Sequence, residues 1–192
     1  MDTIEVKRKS FDIIAPIREK SFKVERNGKT YFLKTFASKD DFDTFISYVK
    51  RFKNLAIVTP KIHRIDKKAY RVVMQYIEGT TILDMLIKGD LEEVFYEMIF
   101  EIDWLARNDK LLLDFRPDQF IYDGKQMYYL PFRCRTYDSK ETFSNTYIKL
   151  WFYTEDLVKY LKDMNLPYDE KRVGNPYEKN KKMALTAVKY YK

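Results

Sequence analysis

Glycine is scarce in this chain, 5 in 192 residues. That leaves little material for a glycine-rich loop of the kind that brings backbone N–H groups close to phosphates. Cysteine is scarcer still. The one thiol, Cys134, excludes an intrachain disulfide and fits a reducing compartment. The lone His63 leaves little room for a histidine metal site or a catalytic triad. No uncharged apolar run reaches the roughly 18 residues of a membrane helix. The opening residues, MDTIEVKRKSFDIIAP, lack both the long apolar stretch and the small-residue cleavage site of a signal peptide. A cytoplasmic protein with no membrane partner is expected.

Aromatic residues are abundant, at 17% of the chain, and hydrophobic residues make up 45%. A sizeable core can therefore be buried, which argues against disorder. The length suits one ordinary domain or two small lobes. Charge is unevenly placed within the net +7. Residues 1–79 hold 18 basic and 10 acidic side chains, against 18 and 19 in the remainder. A basic first half attracts polyanions, although scattered lysines alone specify nothing.

Residues 1–78 read as a sheet with one helix. Phe11–Ile17 and Ser21–Arg26 are strand-like. Asn27-Gly28 then joins Ser21–Arg26 to Lys29–Phe36, the signature of a hairpin with a type I′ turn. A helix is expected after Ser38, with Phe42, Phe45, Ile46, Val49 and Phe52 on one face. Strands follow at Lys61–Ile65 and Tyr70–Ile77. Residues 79–192 read as mostly helical. A short helix lies within Thr81–Ile87. A long one starts near Asp90, with Leu91, Val94, Phe95, Met98, Ile99, Ile102 and Leu105 on one stripe. A second hairpin turns at Asp123-Gly124, a loop runs from Pro131 to Asn145, and helices return at Thr154–Met164 and Pro176–Tyr191.

Three segments in this order resemble the protein-kinase-like superfamily. Tyr31-Phe32-Leu33-Lys34 resembles the strand whose lysine contacts nucleotide phosphates. Val72–Gly79 resembles the strand and hinge between two lobes, with Met74 guarding the pocket and Gln75, Tyr76 and Ile77 facing a nucleotide base. Leu113–Phe120 resembles the catalytic loop, with Asp114 at the position of the catalytic aspartate and Gln119 at that of the asparagine five residues on. The resemblance covers about residues 11–135. It implies an α+β, bilobal fold, with an antiparallel sheet and one helix over 1–78 and a reduced helical lobe over 79–192. It also implies that Lys34 and Asp114 face each other across a cleft. His63-Arg64-Ile65-Asp66 imitates the family's H-R-D run, but it precedes the long helix and belongs on a strand.

The family pattern is broken at several points. The three glycines of the phosphate loop are replaced by Arg18, Lys20 and Lys23. No glutamate occurs between Arg26 and Ile77 to pair with Lys34; Asp40, Asp41 and Asp43 are shorter substitutes. Pro131 stands where the metal-binding aspartate is expected, and Arg133 and Arg135 enter that region. No metal site is expected, and ATP, if bound, is held weakly and without Mg²⁺. The favoured reading is a pseudokinase that works through a protein partner. The second is an atypical serine/threonine kinase placing its metal through Gln119 with Asp118 or Asp123. The third is a nucleic-acid-binding module built on the basic half.

Overall fold

The computed structural model describes residues 2–89, 91–131 and 137–173. The chain divides into two compact units, Met1–Asn54 with Val58–Glu78, and Leu55–Ile57 with Gly79–Lys192. The architecture is α+β, with a curled antiparallel sheet in the first unit. Cys134, Arg133, Arg135 and the helix expected over Pro176–Tyr191 lie outside the described residues.

The first unit holds β1 (Thr3–Val6), β2 (Lys9–Arg18), β3 (Ser21–Arg26), β4 (Lys29–Thr35), helix α1 (Lys39–Asn54), β5 (Ile62–Asp66) and β6 (Arg71–Gln75). The strands form one sheet in the order β1-β2-β3-β4-β6-β5, antiparallel at every step. The sheet curls until β1 meets β5 and β6. Two links close it: Lys7 N–H donates to Asp66 Oδ2 at 2.8 Å, and Arg71 donates to Glu5 O at 2.7 Å. Strand β1 was not anticipated, because TIEV is too short to show alternation; pairing with β2 supplies its order. Asn27 and Gly28 both have positive φ, at 52° and 70°, as a type I′ turn requires. The H-R-D look-alike lies on β5, and its Asp66 accepts backbone N–H groups from Lys68 and Ala69 in the following turn.

Side-chain alternation gives this sheet two distinct faces. Inside the curl, Val6, Phe11, Val24, Leu33 and Val73 form the buried core. The other face carries Phe32, Lys34, Val72 and Met74. Helix α1 is anchored on the Phe36 side by Phe42 and Phe45, whose rings lie 5.7 and 4.9 Å from that of Phe36. Ser38 caps α1, with its hydroxyl accepting from Asp41 N–H at 3.1 Å.

The second unit holds β7 (Thr80–Thr81), α2 (Ile82–Lys88), α3 (Glu93–Asn108), β8 (Phe120–Tyr122), β9 (Met127–Tyr129) and α4 (Glu155–Asp163). Strands β7, β8 and β9 form a small antiparallel sheet. None of the described helices is long and apolar enough to cross a membrane. Two expectations need correction. The buried stripe of α3 runs through Phe95, Ile99, Phe100, Asp103 and Ala106, while Val94 is exposed. Hydrophobic periodicity could not place Asp103 inside; it is buried because its carboxylate accepts Phe143 N–H at 3.2 Å. The loop expected through Asn145 ends in a helical turn at Phe143–Tyr147. That turn joins an aromatic core of Phe100, Phe115, Phe120, Tyr129, Phe143 and Trp151, all essentially inaccessible to solvent.

Candidate functional site

In the first unit the strand register decides which expected residues meet. Arg18 pairs with Ser21, and Ser21 with Lys34. Lys23 pairs with Phe32, and Phe32 with Met74. Arg18, Lys23, Lys34 and Met74 therefore share one face of the sheet. Tyr76 continues the same alternation, and the Lys23 ammonium sits 4.6 Å from its ring centroid, a cation–π contact. Lys34 Nζ lies 5.3 Å from the Phe36 centroid. Met74 is buried beside Phe32 and Val72.

Two β-bulges make this face possible. β2 carries extra residues between Ile13 and Ala15 and between Pro16 and Arg18, and the second bulge brings Arg18 opposite Ser21. The other expected residues are placed differently. Lys20 occupies the β2–β3 turn with φ of 56°, a backbone region that glycine takes more readily. Gln75 lies on the opposite face, opposite Tyr31, and its N–H donates to Lys61 O at 2.8 Å. That donor is therefore already used. Ile77 is buried. Of the aspartates on α1, Asp41 accepts the Ser38 hydroxyl, and Asp43 pairs with Lys39 at 2.7 Å.

In the second unit the loop bearing Asp114 is held from two sides. Asp114 N–H donates to the Tyr129 hydroxyl at 3.0 Å, and Trp151 Nε1–H donates to Phe115 O at 2.7 Å. The Asp114 side chain turns onto its own loop. Arg116 Nε donates to Oδ1 at 2.8 Å and Nη2 to Oδ2 at 2.5 Å, a two-pronged ion pair. Asp114 is buried, and its carboxylate drives the Arg116 guanidinium pKa further up. Pro117–Gln119 then forms a 3-10 turn with Pro117 at its first position, where no N–H is missed. Asp118 accepts the Tyr160 hydroxyl at 2.9 Å through Oδ1 and Gln119 Nε2 at 2.7 Å through Oδ2. Gln119 is fully buried, and its Oε1 has no hydrogen-bond partner among the described residues. Asp123 serves the β8–β9 turn, its Oδ1 accepting the N–H groups of Lys125 and Gln126 at 2.9 Å each.

Each oxygen of Asp114 and Asp118 thus already accepts a hydrogen bond. Here the geometry makes both carboxylates parts of a loop clamp. Arg116, Tyr129, Trp151 and Tyr160 build that clamp, and none was anticipated as a site residue. The Asp-x-Arg spacing at 114–116 was a readable local signal. Tyr160, 42 residues beyond Asp118, had none.

Burial, reinforced by the Asp118 charge and hydrogen bond, raises the Tyr160 phenol above its ordinary pKa, and burial does the same for Tyr96. The folded state then holds these protons more tightly than the unfolded chain. This stabilisation is complete below the unfolded value of about 10 and is lost as pH rises above it. A urea-denaturation series from pH 7 to 11 should therefore show stability falling at the alkaline end. Tyr160→Phe should make that fall shallower; an unchanged slope would mean that Tyr160 is not linked to folding.

No protein-family model matches the chain, and no curated protein matches it, so a functional reading rests on its residues and their geometry.

Proposed function

We propose that this is a kinase-like protein that lacks metal-dependent phosphoryl transfer and acts by binding a protein partner. The order of elements supports the reading: an antiparallel sheet with a helix between β4 and β5, then a helical region and a short hairpin after an Asp-containing loop. The observation that carries the loss of catalysis is Pro131, which has no side-chain oxygen at the position where the metal ligand is expected.

The residues at the expected metal position do not fit Mg²⁺, which demands hard oxygen ligands in near-octahedral array. Pro131 has no side-chain oxygen to offer. The Asp118 oxygens are committed to Tyr160 and Gln119, and Asp123 to its turn. Phosphoryl transfer consists almost wholly of positioning and charge neutralisation. A base at Asp114, worth typically about 10²–10⁴-fold, would not replace them. One observation favours the second reading, an active serine/threonine kinase: Gln119 Oε1 is a buried oxygen without a described partner.

Radiolabelled ATP with Mg²⁺ or Mn²⁺ separates the two. No incorporation into the protein or into generic substrates is expected. Incorporation by the wild type that Asp114→Ala and Lys34→Ala both abolish would overturn the reading and make Asp114 the base.

A further inference from the structure

We infer that the open edge of β1, with the basic turns at Lys7–Lys9 and Lys67-Lys68, docks an extended acidic segment of a partner protein, which adds to the first unit's sheet as a further strand. The inference rests on the partner-binding half of the reading above and gives that partner a chemistry and a place.

The curl of the sheet builds the basic patch. Asp66 accepts Lys7 N–H through Oδ2 at 2.8 Å and Lys68 N–H through Oδ1 at 3.0 Å, so the β1–β2 and β5–β6 turns meet on one carboxylate. Lys7, Arg8, Lys9, Lys67 and Lys68 are exposed, and none of these cationic groups has a partner among the described residues. Glu5 is an exposed carboxylate beside the patch, and Asp66 is spent on backbone N–H groups, so the patch stays positive.

The turn at Lys7-Arg8 is strained. Both residues sit at left-handed φ, 51° and 61°. The β3–β4 hairpin meets the same demand with Asn27-Gly28, residues that take this region readily. Lysine and arginine bring no advantage as turn formers, and strain of this kind points to a use for the side chains.

The strand edge says what kind of acidic partner fits. Val6 lies opposite Lys9 across a two-residue turn, so these residues, and then Ile4 and Phe11, make the ladder's hydrogen bonds. Thr3 and Glu5 therefore turn their backbone groups away from β2, and Glu5 O accordingly accepts Arg71. The Thr3 and Glu5 N–H groups have no partner among the described residues, and both residues are exposed. Unpaired N–H groups along a strand edge are a template for an added strand. The turns favour a peptide over the other polyanions. Tyr70, which ends the β5–β6 turn, is half-buried, with its ring centroid 5.9 Å from that of Phe42, so neither turn presents an exposed aromatic for a nucleic-acid base. Residues 5–10 and 66–69 carry no exposed apolar side chain to enter a bilayer.

Fluorescence anisotropy of the full chain with a labelled short peptide of alternating Glu and Thr tests this. Binding is expected, weakening as salt rises. The Lys7→Asn/Arg8→Gly double variant should bind about tenfold more weakly, the equivalent of one charge-assisted contact. It should also unfold at higher urea, because Asn-Gly relieves the strained turn, so the loss cannot come from misfolding. Lys67→Gln/Lys68→Gln, on the other turn, should weaken binding by a similar factor. N-methylation of alternate peptide nitrogens should do the same, since it removes strand hydrogen bonds and no charge. No peptide binding, or binding that any of these changes leaves as tight, would overturn the inference. Tighter binding to single-stranded RNA or to phosphatidylserine vesicles would also overturn it and reassign the patch to that class. The kinase assay is separate: phosphate transfer would overturn the proposed function and leave the docking edge standing, while failed peptide binding without transfer would overturn only this inference.

Discussion

Arg116→Ala is expected to destabilise the second unit by about 3 kcal/mol. It leaves the buried Asp114 carboxylate without the guanidinium that binds both its oxygens. Breaking one partner out of a buried pair costs about 3–5 kcal/mol, because the remaining charge stays desolvated. The lower end applies because the Arg116 side chain is 25% exposed, so water screens part of the interaction. Trp104 and Trp151 both belong to this unit, so tryptophan fluorescence in a urea titration reports on it directly. Adding Asp114→Asn to Arg116→Ala should recover much of the loss, because a neutral amide is cheaper to bury than a lone carboxylate. A loss below about 1 kcal/mol would show that the clamp contributes little. The same variant bears on function. Freeing Asp114 should produce no phosphate transfer, since Pro131 still offers no metal ligand.

Trp151→Ala should have a larger effect, about 5 kcal/mol, enough to unfold the second unit of an ordinary protein of this size. The side chain is completely buried against Phe120 and Phe143, with ring centroids 5.4 and 5.6 Å away. Removing a buried aromatic side chain costs about 3–5 kcal/mol through lost transfer energy and the cavity left behind. The indole N–H also donates to Phe115 O, and an unsatisfied buried carbonyl adds about 1–3 kcal/mol. Trp151→Phe removes the donor together with a smaller part of the ring, so its cost sets an upper bound on the donor's share. Circular dichroism in urea should place Trp151→Phe between the wild type and Trp151→Ala. A Trp151→Ala protein within 2 kcal/mol of the wild type would show that the aromatic core can close around the gap.

Much of the local structure was written in local chemistry. The Asn27-Gly28 turn, the phenylalanine face of α1 and the strand position of His63–Asp66 each depend on a few neighbouring residues. Backbone sterics and 3.6- or 2-residue periods act at that range, so they can be read without a partner. The α+β class and the change from strands to helices near residue 79 followed from the same signals. The short strand β1 and the exposure of Val94 did not, because both depend on what packs alongside.

The candidate site divides in the same way. That Lys34 lies on a strand and Asp114 in a loop was legible in their neighbours. That Arg18, Lys23 and Lys34 lie on one face, and that Gln75 lies on the other, required the register, including two bulges in β2, of which only the second has a proline, Pro16, beside it. The state of the carboxylates was decided further away still. Asp118 is claimed by Tyr160, while Tyr129 and Trp151 pin the backbone on either side of Asp114. A buried charge must find its partners wherever the fold brings them, and those contacts span 15 to 42 residues. No local period carries that information; only the closed core of the second unit does.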